Sequence, residues 1–110
     1  MLDMEYMDFS SNSLTGMLPY WVTDMHSLTH LDLSDNALTG ELPSYYKDLV
    51  NLKVLKLWGN SISSGNLTSD WTGFHAIEEF DIGWNSGITA SSGFVDLFLD
   101  AHPSLVLFDI

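Results

Sequence analysis

The sequence predicts an α/β fold, a stacked solenoid of short strands with mostly 3-10 or irregular return paths and one α-helix near 92–101. Three observations predict it. Four asparagines, Asn12, Asn36, Asn60 and Asn85, stand 24, 24 and 25 residues apart. Each sits at the same place in a recurring phrase, clearest as LTHLDLSDNALTGELP from Leu28 to Pro43. The last return path is longer than the others and carries apolar residues at helical spacing. A period in the twenties with one fixed Asn and fixed leucines marks coils that stack and bury their apolar faces against one another.

Aligned on the Asn, the first copy is MEYMDFSSNSLTGMLP, Met4 to Pro19, and the second runs from Leu28 to Pro43. The third is Leu52 to Thr68, the fourth Ile77 to Thr89, and a truncated fifth, LVLFDI, covers Leu105 to Ile110. The repeat segment therefore spans residues 1–110, about four copies and part of a fifth. Each copy opens with apolar residues at places 1, 4 and 6, such as Leu28, Leu31 and Leu33, the alternation of a strand with one buried face. The Asn at place 9 falls where the chain turns. Its side chain both donates and accepts, so stacked copies would form a ladder of side-chain bonds to turn backbone. Asn12, Asn36, Asn60 and Asn85 are thus expected to be structural.

After each Asn comes a second apolar pair with glycine and proline: Leu14, Gly16, Leu18 and Pro19, then Leu38, Gly40, Leu42 and Pro43. Gly permits a turn, and Pro cannot continue a central ladder. The return paths carry Trp21 and Met25, Tyr45 and Leu49, then Trp71 and Phe74, which are expected to fill the convex-side core. From Ile77 to Leu105 the interval grows to 28 residues. Phe94, Leu97, Phe98 and Ala101 recur there at helical spacing, Ser91 or Ser92 can cap the start, and Pro103 follows the end.

Composition narrows the function. The 110 residues include 15 Asp and Glu against 3 Lys and no Arg, a net charge of −12. That balance argues against nucleic acid and anionic membranes, both polyanions, and leaves room for basic partners. Without cysteine, disulfides and thiolate metal sites are excluded within this stretch. The N-terminal MLDMEYMDF has neither the basic head nor the apolar run of a signal peptide. No stretch approaches the roughly 20 apolar residues of a membrane span.

These residues resemble the leucine-rich repeat family, and LxxLxLxxNxLTGxLP looks like its plant-type subclass, found in receptor-like kinases, receptor-like proteins and polygalacturonase inhibitors. The match is closest in copies one and two. Copy three has Leu67-Thr68 in place of Leu-Pro, and Gly87 and Ala90 interrupt copy four. A Trp near that step, Trp21 and Trp71, gives a lesser similarity to trypanosomatid surface antigens. The resemblance implies a curved right-handed solenoid with a parallel sheet on its concave face. It also implies an extracellular or cell-surface location and recognition of protein, peptide or glycan. Members of the subclass usually carry cysteine-bearing caps. With none here, the segment reads as an uncapped part of a longer array.

On a concave sheet the variable places face outward. Place 5 gives Asp8, Asp32, Lys56, Asp81 and Asp109; place 3 gives Tyr6, His30, Val54, Glu79 and Leu107. Trp58 and Trp84 stand at places 7 and 8, outside the leucine positions that fill the core, and exposed Trp is enriched in binding hot spots. Tyr6, His30, Asp32, Lys56, Trp58, Asp81 and Trp84 are therefore the expected recognition face, weighed against the plainer reading that the two indoles only cover each other or the sheet edge. A flat ladder of carboxylates supplies too few oxygens for Ca²⁺, which wants six to eight, so neither metal nor cofactor is expected. His30, Asp32 and Ser34 alternate on one strand, but residues two apart lie about 6.6 Å from each other, which argues against a hydrogen-bonded triad and against an enzyme. Asn66-Leu67-Thr68 is the one N-glycosylation sequon.

The leading expectation is an ectodomain-like module that binds a protein, peptide or glycan through its concave face. The alternatives are a structural or adhesive surface protein and an intracellular scaffold or regulatory segment of a larger protein.

Overall fold

Leu31, Leu55 and Phe80 are fully buried, while the residues flanking each are half exposed. That is the signature of a strand with one face on a core. In the computed structural model, which describes residues 3–110, nine three-residue strands form among the described residues. They are β1 (Tyr6–Asp8), β2 (Thr15–Met17), β3 (His30–Asp32), β4 (Ala37–Thr39), β5 (Val54–Lys56), β6 (Gly65–Leu67), β7 (Glu79–Asp81), β8 (Ile88–Ala90) and β9 (Leu107–Asp109). The odd-numbered strands make one parallel sheet in the order β1-β3-β5-β7-β9. Its register places equivalent residues side by side, Tyr6 with His30 and Asp8 with Asp32, through to Asp81 with Asp109. The solenoid follows from the period: each complete copy must bury its apolar place 4 (Met7, Leu31, Leu55, Phe80), and the inner copies also place 6 (Leu33, Leu57, Ile82), against its neighbours.

Three of the four asparagines, Asn36, Asn60 and Asn85, bridge neighbouring copies. Asn36 Nδ2 donates to the carbonyls of Leu33 and Ser34 in its own turn and to Phe9 in the copy before, while its Oδ1 accepts the Leu14 N–H. Asn60 repeats this with Leu57, Leu33 and Leu38, and Asn85 with Ile82, Leu57 and Ile62. Asn12 closes its own turn through Phe9 and Ser10.

Past the turn, two small parallel sheets pair β2 with β4 and β6 with β8, which the sequence reading did not anticipate. The return paths are 3-10 turns at Tyr20–Asp24, Ser44–Asp48 and Ser69–Thr72. Pro19 and Pro43 sit in extended geometry just before the first two, where a missing N–H costs nothing. Trp21 and Tyr45, expected in the core, are instead exposed. Val22, Tyr46, Trp71 and Phe94 take the interior column, three residues beyond Pro19, Pro43, Thr68 and Ser91 respectively. A 3-10 turn brings every third residue to one side, so the inward place is the third after the step, where copy one carries Val22. The Tyr46 hydroxyl donates to the Pro19 carbonyl, and burial raises its pKa.

The long return path holds α1 (Phe94–Ala101). Its cap differs from expectation: Gly93, at φ +80°, occupies the N-cap, and the Ser91 hydroxyl donates to Leu67 of the neighbouring copy. Its buried stripe is also narrower. Phe94, Phe98 and His102 face inward while Leu97 and Ala101 are exposed, because the helix packs on one side only, against the 3-10 turn at Ser69–Thr72. Phe80 and Phe98 meet at 4.6 Å between ring centroids, and Phe108 stacks on Phe80 at 5.7 Å. The longer path therefore encloses a thicker, phenylalanine-filled core. His102 joins α1 to the preceding copy, its ring nitrogens 2.8 Å and 3.1 Å from the carbonyls of Phe98 and Phe74. No helix among the described residues is long and apolar enough to cross a membrane.

Candidate recognition face

Because places 4 and 6 are consumed by the core, places 3 and 5 must face away from it, and the odd-numbered strands present them in two columns. Across the sheet, from β1 to the residue before β9, they border a depression of about 280 Å³ lined by Tyr6, His30, Asp32, Val54, Lys56, Glu78, Glu79 and Val106, with Met7 beneath. Tyr6 and His30 are register partners, and their rings lie 4.9 Å apart with 30° between planes. Thr29 spends its one hydroxyl proton on the Glu5 carbonyl at 3.0 Å, so at 3.1 Å His30 Nδ1 must donate to it. In the neutral ring that tautomer leaves His30 Nε2 as an acceptor.

Lys56 Nζ and Glu79 form an ion pair at 3.2 Å, about two-thirds shielded on each side. Partial burial works against the ammonium, yet the Glu79 contact, with Asp32 and Asp81 nearby, holds its pKa above the ordinary lysine value. The aspartates of place 5 have a local task. Asp8 Oδ1 accepts the Ser10 hydroxyl and N–H, and Asp32 Oδ1 accepts those of Ser34. The Ser10 bonds lower the Asp8 pKa. Asp81 differs, since glycine follows two residues on: burial raises its pKa, the Gly83 N–H pulls against that, and neighbouring Asp109 adds to the rise.

Asp32 and Ser34 are joined despite their two-residue spacing. Where the strand ends the chain curls, so Ser34 Oγ reaches Asp32 Oδ1 at 2.5 Å. His30 takes no part, being bonded to Thr29, so serine and imidazole are not joined as nucleophile and base.

Of the seven residues expected on the face, Tyr6, His30, Asp32 and Lys56 line the depression. Asp81 follows in the same column, beside Lys56. Trp58 is half-buried just beyond β5. Trp84 is 83% exposed and lines a different hollow with Asn60, Ser61, Asn85, Ser86, Ile88 and Ile110. Backbone geometry separates it. Place 8 is left-handed in every complete copy, with φ of +54° at Ser11, +55° at Asp35, +71° at Gly59 and +56° at Trp84. Val54, Glu78, Glu79 and Val106 complete the depression. Glu79 and Val54 were legible as place-3 residues; Glu78 and Val106 precede their strands, and only the assembled sheet brings them in. Asn66 is exposed at the centre of β6, and its Oδ1 accepts the Thr89 hydroxyl at 3.2 Å.

Two family models match the chain, one described as leucine rich repeats in two copies over residues 26–69 and one as leucine rich repeat over residues 1–38. No curated protein matches it. Among solved structures, a plant ice-binding protein superposes with a TM-score of 0.80 at 19% identity, over 97% of this chain and 34% of that one. The PEPR1–AtPEP1 structure gives a TM-score of 0.79 at 24% identity, over 97% of this chain and 14% of that one. The plant peptide hormone receptor RGFR1 in complex with RGF2 gives 0.65 at 24% identity, over 80% of this chain and 18% of that one. At these identities the likeness is one of fold, and the chain spans about a third or less of each.

Proposed function

Since the chain belongs to the leucine-rich repeat family, we propose that it is a recognition module of the ectodomain type, binding a protein, peptide or glycan through the concave face. The observation that carries this reading is the depression itself. Tyr6, His30, Lys56 and Val106 are not core residues, yet the sheet gathers them around one hollow. Tyr6 is 62% exposed, a large aromatic left in water beside a second ring. Aromatic side chains of this kind anchor interfaces. The peptide hormone receptor among the structures of like fold favours a peptide over a glycan. An extracellular or cell-surface setting goes with this reading, and in that setting Asn66, exposed within its sequon, is the residue to carry a glycan.

Panning a random peptide display library, and in parallel a glycan array, against the immobilised chain tests the proposal. A selected ligand should bind at least tenfold more weakly to a Tyr6→Ala, Trp58→Ala double variant whose circular dichroism is unchanged. Unaltered affinity in that variant would overturn the concave face as the site.

A further inference from the structure

The charges on the concave sheet are arranged in a way the repeat does not require. Asp8 and Asp32 are register partners at one end of the place-5 column, and Asp81 and Asp109 at the other. Like charges directly opposite on neighbouring strands destabilise a sheet. The one cation between them, Lys56, is already held by Glu79. Glu78 and Glu79 add two more carboxylates at the rim of the depression. The Ser10 and Ser34 contacts engage only one oxygen of Asp8 and of Asp32. The face therefore offers two acidic pairs, set apart by the Lys56–Glu79 ion pair, with the Tyr6 ring and His30 Nε2 beside the first.

Resting on the concave-face reading above, we propose that the ligand is an extended cationic peptide lying across the strands, with two basic side chains four residues apart, one over Asp8 and Asp32 and the other over Asp81 and Asp109. Spacing follows from sheet geometry. Adjacent strands lie about 4.8 Å apart, so the centres of the two pairs, three strand steps from each other, are separated by about 14 Å. An extended chain advances about 3.4 Å per residue, so four residues also span about 14 Å. Side chains at i and i+4 share a face of an extended peptide, whereas those at i+3 or i+5 point away. A spacing of i+2 is too short by half, and i+6 overshoots by about 7 Å. The first basic group can also rest on the Tyr6 ring, since cations favour aromatic faces, and donate to His30 Nε2.

The test uses fluorescein-labelled, end-blocked ten-residue Gly/Ser peptides, each with two arginines at i+2, i+3, i+4 or i+6, read by fluorescence anisotropy. All carry the same charge, so bulk attraction to an acidic protein cannot rank them. The i+4 peptide should bind at least tenfold more tightly than the i+3 peptide. That preference should vanish in an Asp8→Asn, Asp109→Asn variant, in which the asparagine at position 8 can still accept from Ser10. Equal affinity at all spacings, or a preference that survives in the variant, would overturn the proposal. If no arginine peptide binds while a library-selected peptide does, and Tyr6→Ala, Trp58→Ala weakens it, the cationic ligand is wrong and the recognition face stands. If no peptide or glycan binds at all, both fall.

Discussion

Asn60 Oδ1 accepts the backbone N–H of Leu38 at 3.1 Å, across 22 residues of sequence and from a buried position. Its Nδ2 meanwhile donates to Leu33 and Leu57, so one amide closes its own turn and fastens it to the copy before. Asn60→Ala would leave the buried Leu38 N–H without a partner and take one of two donors from each of the Leu33 and Leu57 carbonyls, which keep Asn36 and Asn85. At roughly 1–3 kcal/mol for an unsatisfied buried group, the expected loss is about 3 kcal/mol. Asn12→Ala, which removes two exposed bonds within a single turn, should cost about 1 kcal/mol or less. Thermal unfolding of the two variants checks this, and equal losses would show that the bonds between copies contribute nothing beyond the turn.

Trp84 occupies a backbone conformation made for glycine. The left-handed region costs a residue with a Cβ about 1–2 kcal/mol, and Gly59 fills the same place one copy earlier. With its indole 83% exposed, Trp84 recovers little of that by burial. Trp84→Gly should therefore raise stability by about 0.5–1 kcal/mol after the added freedom of the unfolded glycine is subtracted. A few degrees' rise in Tm is the expected result. A fall would mean that the indole packs on the hollow formed with Asn60 and Ile110. A rise accompanied by lost ligand binding would identify strain retained for function.

The copies at Met4, Leu28, Leu52, Ile77 and Leu105 were legible because place 4 and the Asn obey one period, and that period alone sets the strand register. Trp21 and Tyr45 were misassigned because neighbouring apolar residues compete for one inward place, and only the 3-10 geometry shows that Val22 and Tyr46 win. Helical spacing grouped Leu97 with Phe94 and Phe98 and so revealed the helix, but only the packed structure shows that α1 touches the solenoid along Phe94, Phe98 and His102. In the face, Tyr6, His30, Asp32 and Lys56 followed from the frame. The parting of Trp84 from them depended on a positive φ at place 8, which Ser11, Asp35 and Gly59 each hint at only by being small or polar.

Gly87, which interrupts the phrase in copy four, is required there by contact. A Cβ at this position would stand 1.9 Å from the Ser63 carbonyl carbon and 2.0 Å from its oxygen. Backbone cannot move aside as a side-chain tip can, so Gly87→Ala should cost about 2–3 kcal/mol. Gly73 is the contrast: nothing lies within 4 Å of its added Cβ, and its φ is −86°. Gly73→Ala should be neutral or stabilise by up to about 1 kcal/mol. Chemical denaturation of both variants gives the comparison, and a harmless Gly87→Ala would mean that copies three and four are not held this close together.

The pairing of Asp81 with Asp109 makes stability depend on pH in a defined direction. Burial, then the neighbouring Asp109, raise the Asp81 pKa above its unfolded value. Between those two values the folded chain holds more protons than the unfolded chain, so stability falls as pH rises through the window. Asp81→Asn removes the charge and keeps an oxygen for the Gly83 N–H, which now bonds Asp81 Oδ1 at 3.3 Å. The variant should melt higher than the unaltered protein at neutral pH and match it below about pH 3, where the carboxyl is protonated in both states. The gain should be modest, because the group is only partly buried and Lys56 attracts it, and it should shrink as salt is raised. A lower melting point at neutral pH would mean that attraction to Lys56 outweighs burial and Asp109. The column would then be balanced within itself, without calling on a cationic partner.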